Sequence, residues 1–232
     1  MIRSASQVLL ALLLLAAGAR AQQGVYFYPA LDTYIGLTDK VSLYLIAQGS
    51  VNPDAPNNNF QLSPNIDFAL LPFLEPHLKV LNPEKAKYLT FRAGYRYVKI
   101  VGSNPSTQNN ANLELTARLP LPWEFQIADR NRIDLRGLPT GFTWRYRNRL
   151  TLSHSLQVHS FIATPYAEAE IFYDCKTGMW TQYNYTFGSI FRVNSRTEIE
   201  SYYRRRTTIV EPIREFNGVG LRLILFFRNP AV

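Results

Sequence analysis

The sequence is poor in the residues that usually announce chemistry. It has one cysteine, three histidines and two methionines among 232 residues. A lone Cys175 excludes an intramolecular disulfide, and in its setting, DCKTG, no neighbouring base activates it, so it reads as an incidental thiol. His77, His154 and His159 are too few and too poorly spaced to build a metal site, and no metal or cofactor is expected. Long apolar runs are equally scarce. Beyond Ala21, charged or turn residues interrupt every hydrophobic segment, which excludes a helical membrane protein.

The one sustained apolar run, Val8 to Ala17, follows Arg3 and precedes Ala19-Arg20-Ala21, the small-x-small form that signal peptidase accepts. It is shorter than the roughly 20 residues a spanning helix needs. Residues 1–21 are therefore expected to be a secretory signal peptide, leaving 22–232 as one domain. Without Arg3 and Arg20 the chain keeps 23 basic and 17 acidic residues, a net charge of +6. Such an excess raises the question of nucleic acid. The export signal and the alternation of arginines with aromatics both argue against it, and no nucleic-acid partner is expected.

Aromatic residues are abundant, with 14 tyrosines and 14 phenylalanines, and they fall into a pattern. In FTWRYRNRLTLS, Phe142 to Ser153, alternate positions carry Phe142, Trp144, Tyr146, Leu150 and Leu152, while Arg145, Arg147, Arg149, Thr151 and Ser153 occupy the positions between. Only a strand has a two-residue period. Aromatics opposite a row of arginines suit a transmembrane barrel, whose outer face meets lipid and whose inner face meets water or other charges.

The same alternation marks eleven strands: Tyr28 to Leu37, Val41 to Gln48, Phe60 to Leu70, Tyr88 to Val101, Ala111 to Leu119, Phe125 to Arg136, Phe142 to Ser153, Phe161 to Tyr173, Trp180 to Arg192, Arg196 to Thr208 and Val219 to Phe227. Bacterial single-chain barrels usually have an even strand count. The expectation is accordingly an all-β, antiparallel transmembrane barrel of about 12 strands, within a range of 10 to 12, whose missing strand lies in Gly24 to Ala30 or Phe73 to Val80. GSNPSTQNN at 102–110 reads as a loop. Short turns at 38–40, at PLPW and at 193–195 are expected to face the periplasm, with loops 52–59, 102–110, 137–141, 174–179 and 209–217 on the other side.

Sorting by parity places a charged set inside: Arg92, Arg96, Glu114, Arg118, Arg130, Arg132, Asp134, Arg136, Arg145, Arg147, Arg149, Glu168, Glu170, Glu198, Glu200, Arg204, Arg206 and Arg222. Charges in a narrow lumen cost several kcal/mol unless paired, so ladders of arginine–carboxylate contacts are expected. Two roles fit such a wall. Either the network fills and rigidifies the barrel, or it lines a small pore whose arginine excess favours anions.

FRAGYRYVK at 91–99, DRNRIDLR at 129–136, WRYRNRLTL at 144–152, PYAEAEIFY at 165–173, SRTEIESYYRRR at 195–206 and GVGLRLILFF at 218–227 together resemble the outer-membrane barrel family catalogued as domain of unknown function 2490. The resemblance covers nearly the whole of 22–232. It implies an exported outer-membrane β-barrel of Gram-negative-type bacteria, without an assigned reaction, in contact with outer-membrane lipid and inserted by the barrel-assembly machinery.

Two other functions compete with a structural or small-pore barrel. Ser153, His154, Ser155, His159 and Ser160 supply the residue types of a lipid hydrolase, but the sequence identifies no acidic group to orient the base, so no catalytic residue is assigned. A soluble periplasmic barrel holding a lipid would instead bury its aromatics and turn its charges outward.

Overall fold

Side chains that alternate in polarity at every second position drive the chain into strands, and twelve of them form one sheet in the computed structural model of the protein. The structure describes residues 24–70, 81, 85, 87–138, 141–159, 161–210 and 214–228. The expected signal peptide, Phe73 to Val80 and Ser160 lie outside the described residues.

The strands are β1 (Val25–Gly36), β2 (Val41–Ser50), β3 (Asn57–Ala69), β4 (Leu89–Gly102), β5 (Ser106–Leu121), β6 (Phe125–Leu138), β7 (Gly141–His154), β8 (Leu156–Val158), β9 (Phe161–Asp174), β10 (Met179–Arg192), β11 (Thr197–Thr208) and β12 (Arg214–Arg228). Eleven close a ring in the order β1 to β7, then β9 to β12 and back to β1. The short β8 stands outside the ring and pairs with β9 alone among the strands, just beyond the point where β7 stops at Ser153. The eleven segments expected from the alternation are the eleven strands of the ring, and Gly24 to Ala30 supplies the start of β1 rather than a strand of its own.

An even ring does not form, and the direction of the last pairing follows from that. Each connection reverses the chain, so in an odd ring the first and last strands run the same way. β1 and β12 accordingly pair in parallel from Val25↔Asn217 to Gly36↔Arg228, while every other pairing is antiparallel. The stretch expected to be a loop at 102–110 is mostly strand: β5 begins at Ser106, and Thr107 to Asn110 pair with Lys99 to Arg96. Composition misled there because Asn110, a poor strand former on propensity, faces the interior at 1% exposure.

The turns 37–40, 122–124 and 193–196 lie at one end of the ring and the connections 51–56, 103–105, 139–140, 175–178 and 209–213 at the other. Trp123 and Glu124 both take φ of 59°, the left-handed conformation that a two-residue hairpin turn demands at its centre. Leu70 and Tyr88, where β3 ends and β4 begins, lie at the end of the short turns.

All eleven ring strands present exposed apolar side chains outward, among them Phe27, Leu45, Leu62, Tyr95, Leu115, Ile133, Leu150, Ile171, Phe187, Tyr203 and Leu223. The residues between them point inward. At the parallel seam the inner wall carries an aromatic cluster of Tyr34, Tyr44, Ile224 and Phe226. The Tyr34 ring stacks on Tyr44 at 4.0 Å and on Phe226 at 5.3 Å.

Candidate functional site

The interior is a cavity of about 390 Å³ lined by eleven arginines and three glutamates. Its wall is made by residues of one parity on successive strands, and the register explains why their charges meet. Glu114 on β5 sits opposite Arg92 on β4 and Arg132 on β6, while Arg149 on β7 sits opposite Glu170 on β9. Side chains opposite or diagonal across a sheet lie within reach of long guanidinium groups.

Two carboxylates act as hubs. Asp134, with 0% exposure, accepts hydrogen bonds from Arg132 Nε at 2.6 Å and Arg145 Nη2 at 3.1 Å, with Arg147 Nη1 at 3.5 Å, and Arg96 Nη2 lies 3.6 Å away. Glu170 Oε1 takes Arg130 Nη2 at 2.6 Å and Arg147 Nη2 at 2.7 Å, with Arg149 Nε at 3.4 Å, while its Oε2 accepts from Asn184 at 3.2 Å. Burial makes each lone charge expensive, so several arginines gather on each carboxylate.

Smaller groups surround the hubs. Asp67 holds Arg92 through two hydrogen bonds, Nε at 2.5 Å and Nη2 at 2.8 Å, the forked geometry guanidinium favours. Glu114 lies 3.6 Å from both Arg130 and Arg132 and 3.8 Å from Arg92. Glu168 accepts from Arg149 at 3.1 Å, Arg136 pairs with Asp174 at 3.2 Å, and Arg222 joins Glu200 at 2.8 Å to Asp32 at 3.4 Å. Tyr166 and Tyr44 donate their hydroxyls to Glu200 and Asp32.

Fourteen of the eighteen charged residues assigned to the lumen from parity line the cavity. The other four also contact the inner network: Glu114 and Asp134 hold its arginines, Arg118 donates to Thr90 Oγ1 at 3.0 Å, and Glu198 accepts the backbone N–H of Leu81 at 2.5 Å.

Charge does not balance at the mouth carrying connections 175–178 and 209–213. Arg204 and Arg206 have no carboxylate within 4.0 Å among the described residues, although both line the cavity. Arg204 donates through Nε to Thr186 Oγ1 at 3.2 Å and lies over the Tyr202 ring at 5.0 Å. The Nε of Arg206 is buried without a hydrogen-bond partner, as are both polar atoms of the Asn112 amide.

At the opposite mouth, Leu81 and Lys85, between β3 and β4, reach the inner wall. Leu81 is tied to Glu198 and packs against the seam aromatics, and the Lys85 carbonyl accepts a hydrogen bond from Gln126 at 3.0 Å. Burial pushes the Lys85 ammonium below the ordinary lysine pKa, an effect opposed by Glu200, Glu198 and Glu168. Three prolines in 72–87 predict irregular or briefly helical backbone, and that composition does not mark Leu81 and Lys85 as reaching the inner wall. Sequence reasoning also passed over inward-facing Asp32, Tyr44, Asp67, Tyr166, Phe172 and Tyr202, which parity alone would have found.

The serine and histidine candidates do not converge. Ser153 Oγ donates to the Gln126 carbonyl at 3.4 Å, and Ser155 Oγ meets Thr164 Oγ1 at 3.3 Å, both buried. His154 stacks on Phe125 at 4.3 Å, and His159 occupies a turn at φ 56°. Cys175 Sγ lies 3.2 Å from Thr143 Oγ1 and accepts the Trp144 backbone N–H at 3.3 Å. Among the described residues no three His, Cys, Asp or Glu side chains gather as a metal-binding group.

A family model described as "Protein of unknown function (DUF2490)" matches residues 81–215, from Leu81 to the start of β12. Comparison with curated proteins gives no match.

Proposed function

The chain belongs to the DUF2490 family, whose description assigns no activity, and from the geometry we propose that it is an integral outer-membrane β-barrel whose arginine-lined lumen passes small anions. The observation that carries this reading is the inversion of the wall. Apolar side chains cover the outside of all eleven ring strands, while ion pairs and arginines occupy the interior. A barrel dissolved in water gains nothing from exposing that apolar area, worth roughly 25 cal/mol for each Å² removed from water. In a membrane the same surface is covered by lipid.

Closure of the ring removes every sheet edge, as a spanning strand requires, because hydrocarbon offers no partner for an unpaired N–H or C=O. Ring strands of 10 to 16 residues suffice for a tilted span of about 9–11 residues. Outer-membrane lipid is then the partner of the outer wall, and the barrel-assembly machinery inserts the chain. Inside, eleven lining arginines meet Glu168, Glu170 and Glu200 together with Asp32, Asp67, Glu114, Asp134 and Asp174, which pair with most of them, and the positive excess that is left favours anions over cations.

The test is single-channel conductance of the detergent-folded protein in a planar bilayer under a salt gradient. Reproducible steps with an anion-favouring reversal potential are expected. A protein verified as a folded barrel that stays electrically silent would overturn the pore and leave a structural barrel.

A further inference from the structure

The outer wall is mostly apolar. Ser189 and Ser201 and the pairs Tyr95–Asn109, Tyr203–Asn217 and Arg205–Glu215 also face outward, but four hydrogen-bonded polar side chains gather at one place between apolar neighbours. On β6 and β7, Asp129, Asn131, Tyr146 and Asn148 share the outward parity of Ile127, Ile133, Leu150 and Leu152. They form a hydrogen-bonded cluster. The Asn148 amide donates to Asp129 Oδ1 at 2.7 Å and to Asn131 Oδ1 at 3.1 Å. Asn131 donates to Asp129 Oδ2 at 3.1 Å, and Tyr146 donates its hydroxyl to Asn131 Oδ1 at 2.5 Å.

Apolar outward residues flank the cluster on both sides along the strands, Ile127 and Leu152 towards one end and Ile133 and Trp144 towards the other. It therefore falls inside the band that the proposed function assigns to lipid. Exposed polar groups at that depth cost several kcal/mol each unless satisfied, and the internal bonds satisfy only part of the set. An amide nitrogen has two hydrogens and an amide oxygen two lone pairs. Among the described residues Asn131 uses one N–H, and Asn148 Oδ1 has no donor.

We propose that this patch is the contact surface for a second copy of the chain within the membrane. This rests on the membrane reading of the barrel. In a symmetric dimer of copies inserted the same way up the two-fold axis lies along the membrane normal, and such an axis exchanges left and right while preserving depth. Asn131 and Asn148 are directly opposed in the β6–β7 register, so at a strand spacing of about 4.8 Å and a tilt of about 40° their depths differ by about 3 Å, within reach of their side chains.

The axis therefore brings the spare N–H of Asn131 in one copy to the empty carbonyl of Asn148 in the other, and the same bond forms in reverse. That reciprocity defines an isologous contact. Asp129 is opposed to Leu150, so each carboxylate meets a leucine of the second copy and the two negative charges stay apart. Beside the cluster, β9 presents Ala169 opposite Leu150 and Ala167 opposite Leu152. Their small side chains leave the wall low enough for another wall to approach.

The test uses the full-length protein in native membranes, with Cys175→Ser as background and a single new thiol introduced by Leu150→Cys or, as a control on the distant wall, by Leu45→Cys. A short thiol-reactive cross-linker should convert the Leu150→Cys protein to a species of twice its mass and leave the Leu45→Cys protein monomeric. Adding Asn131→Leu and Asn148→Leu should abolish the cross-link while the barrel keeps its heat-modifiable migration. Monomer from the folded Leu150→Cys protein, or an adduct of any other mass, overturns the proposal. Release of the protein by alkaline carbonate would instead overturn the membrane reading beneath it.

Discussion

Arg147 and Glu170 are joined twice: Arg147 donates from Nη2 at 2.7 Å and from Nε at 3.1 Å to the same Glu170 oxygen, which also receives Arg130 at 2.6 Å. One carboxylate thus anchors guanidinium groups from β6 and β7, and the strength of the wall concentrates in it.

Glu170→Gln should consequently be among the most damaging single changes in the lumen. It leaves Arg130, Arg147 and Arg149 around a neutral amide, and breaking a buried pair by removing one partner costs about 3–5 kcal/mol. Urea unfolding in micelles, followed by the fluorescence of Trp144 and Trp180, measures the loss. Arg205→Gln removes the Arg205–Glu215 pair, exposed at 50% and 49%, and should be nearly silent. Equal effects from the two changes would show that the hub does not carry the wall.

Much of this wall is readable in the sequence because charge and parity coincide. Three arginines at every second position of 145–149 leave one inside face, and the register then brings their carboxylates to them. What escapes reading is what depends on closure or on exceptions to alternation. The parallel seam follows from an odd ring, a count no local pattern specifies. Asn109 and Asn110 look like loop residues until the strand pairing of β5 with β4 is known. Asn131 and Asn148 fall at apolar positions and gain meaning only when the register sets them side by side.

Arg206 should govern ion selectivity. It lines the cavity without a carboxylate partner, and a unit charge about 8 Å from a passing ion in a water-like medium is worth about 0.5 kcal/mol. Arg206→Gln removes an attraction for anions and an equal repulsion of cations, about 1 kcal/mol together, so the anion-to-cation permeability ratio should fall about fivefold, read as a shift of the reversal potential towards the cation value. Arg205→Gln, on the opposite parity, should leave it in place. An unchanged potential for Arg206→Gln would remove the residue from the ion path.

Glu198 should control the mouth where Leu81 meets the inner wall. Its carboxylate holds the Leu81 backbone N–H at 2.5 Å, and Gln126 holds the Lys85 carbonyl from another side. Glu198→Ala removes the acceptor and should raise single-channel conductance by releasing Leu81 from the inner wall. Glu198→Gln keeps a carbonyl oxygen and should stay closer to the parent value. Identical conductance in the parent, the alanine variant and a Gln126→Ala variant would show that these contacts do not limit passage.

Gly220 should tolerate no side chain while Tyr202 keeps its place. A Cβ at Gly220 would lie 2.1 Å from Cζ of the Tyr202 ring, which rests flat against the backbone of β12. The ring is itself hemmed in by Arg204 and stacks at 6.5 Å on Tyr28 across the seam, so it cannot yield without disturbing both. Gly220→Ala is expected to destabilise the barrel by about 1–3 kcal/mol, the usual cost of overpacking. Tyr202→Ala removes the obstacle, so the double variant should lose less than the sum of the two single changes, a coupling that urea midpoints can resolve. Strict additivity would mean that the ring moves aside freely and that the glycine is not required for close packing at the seam.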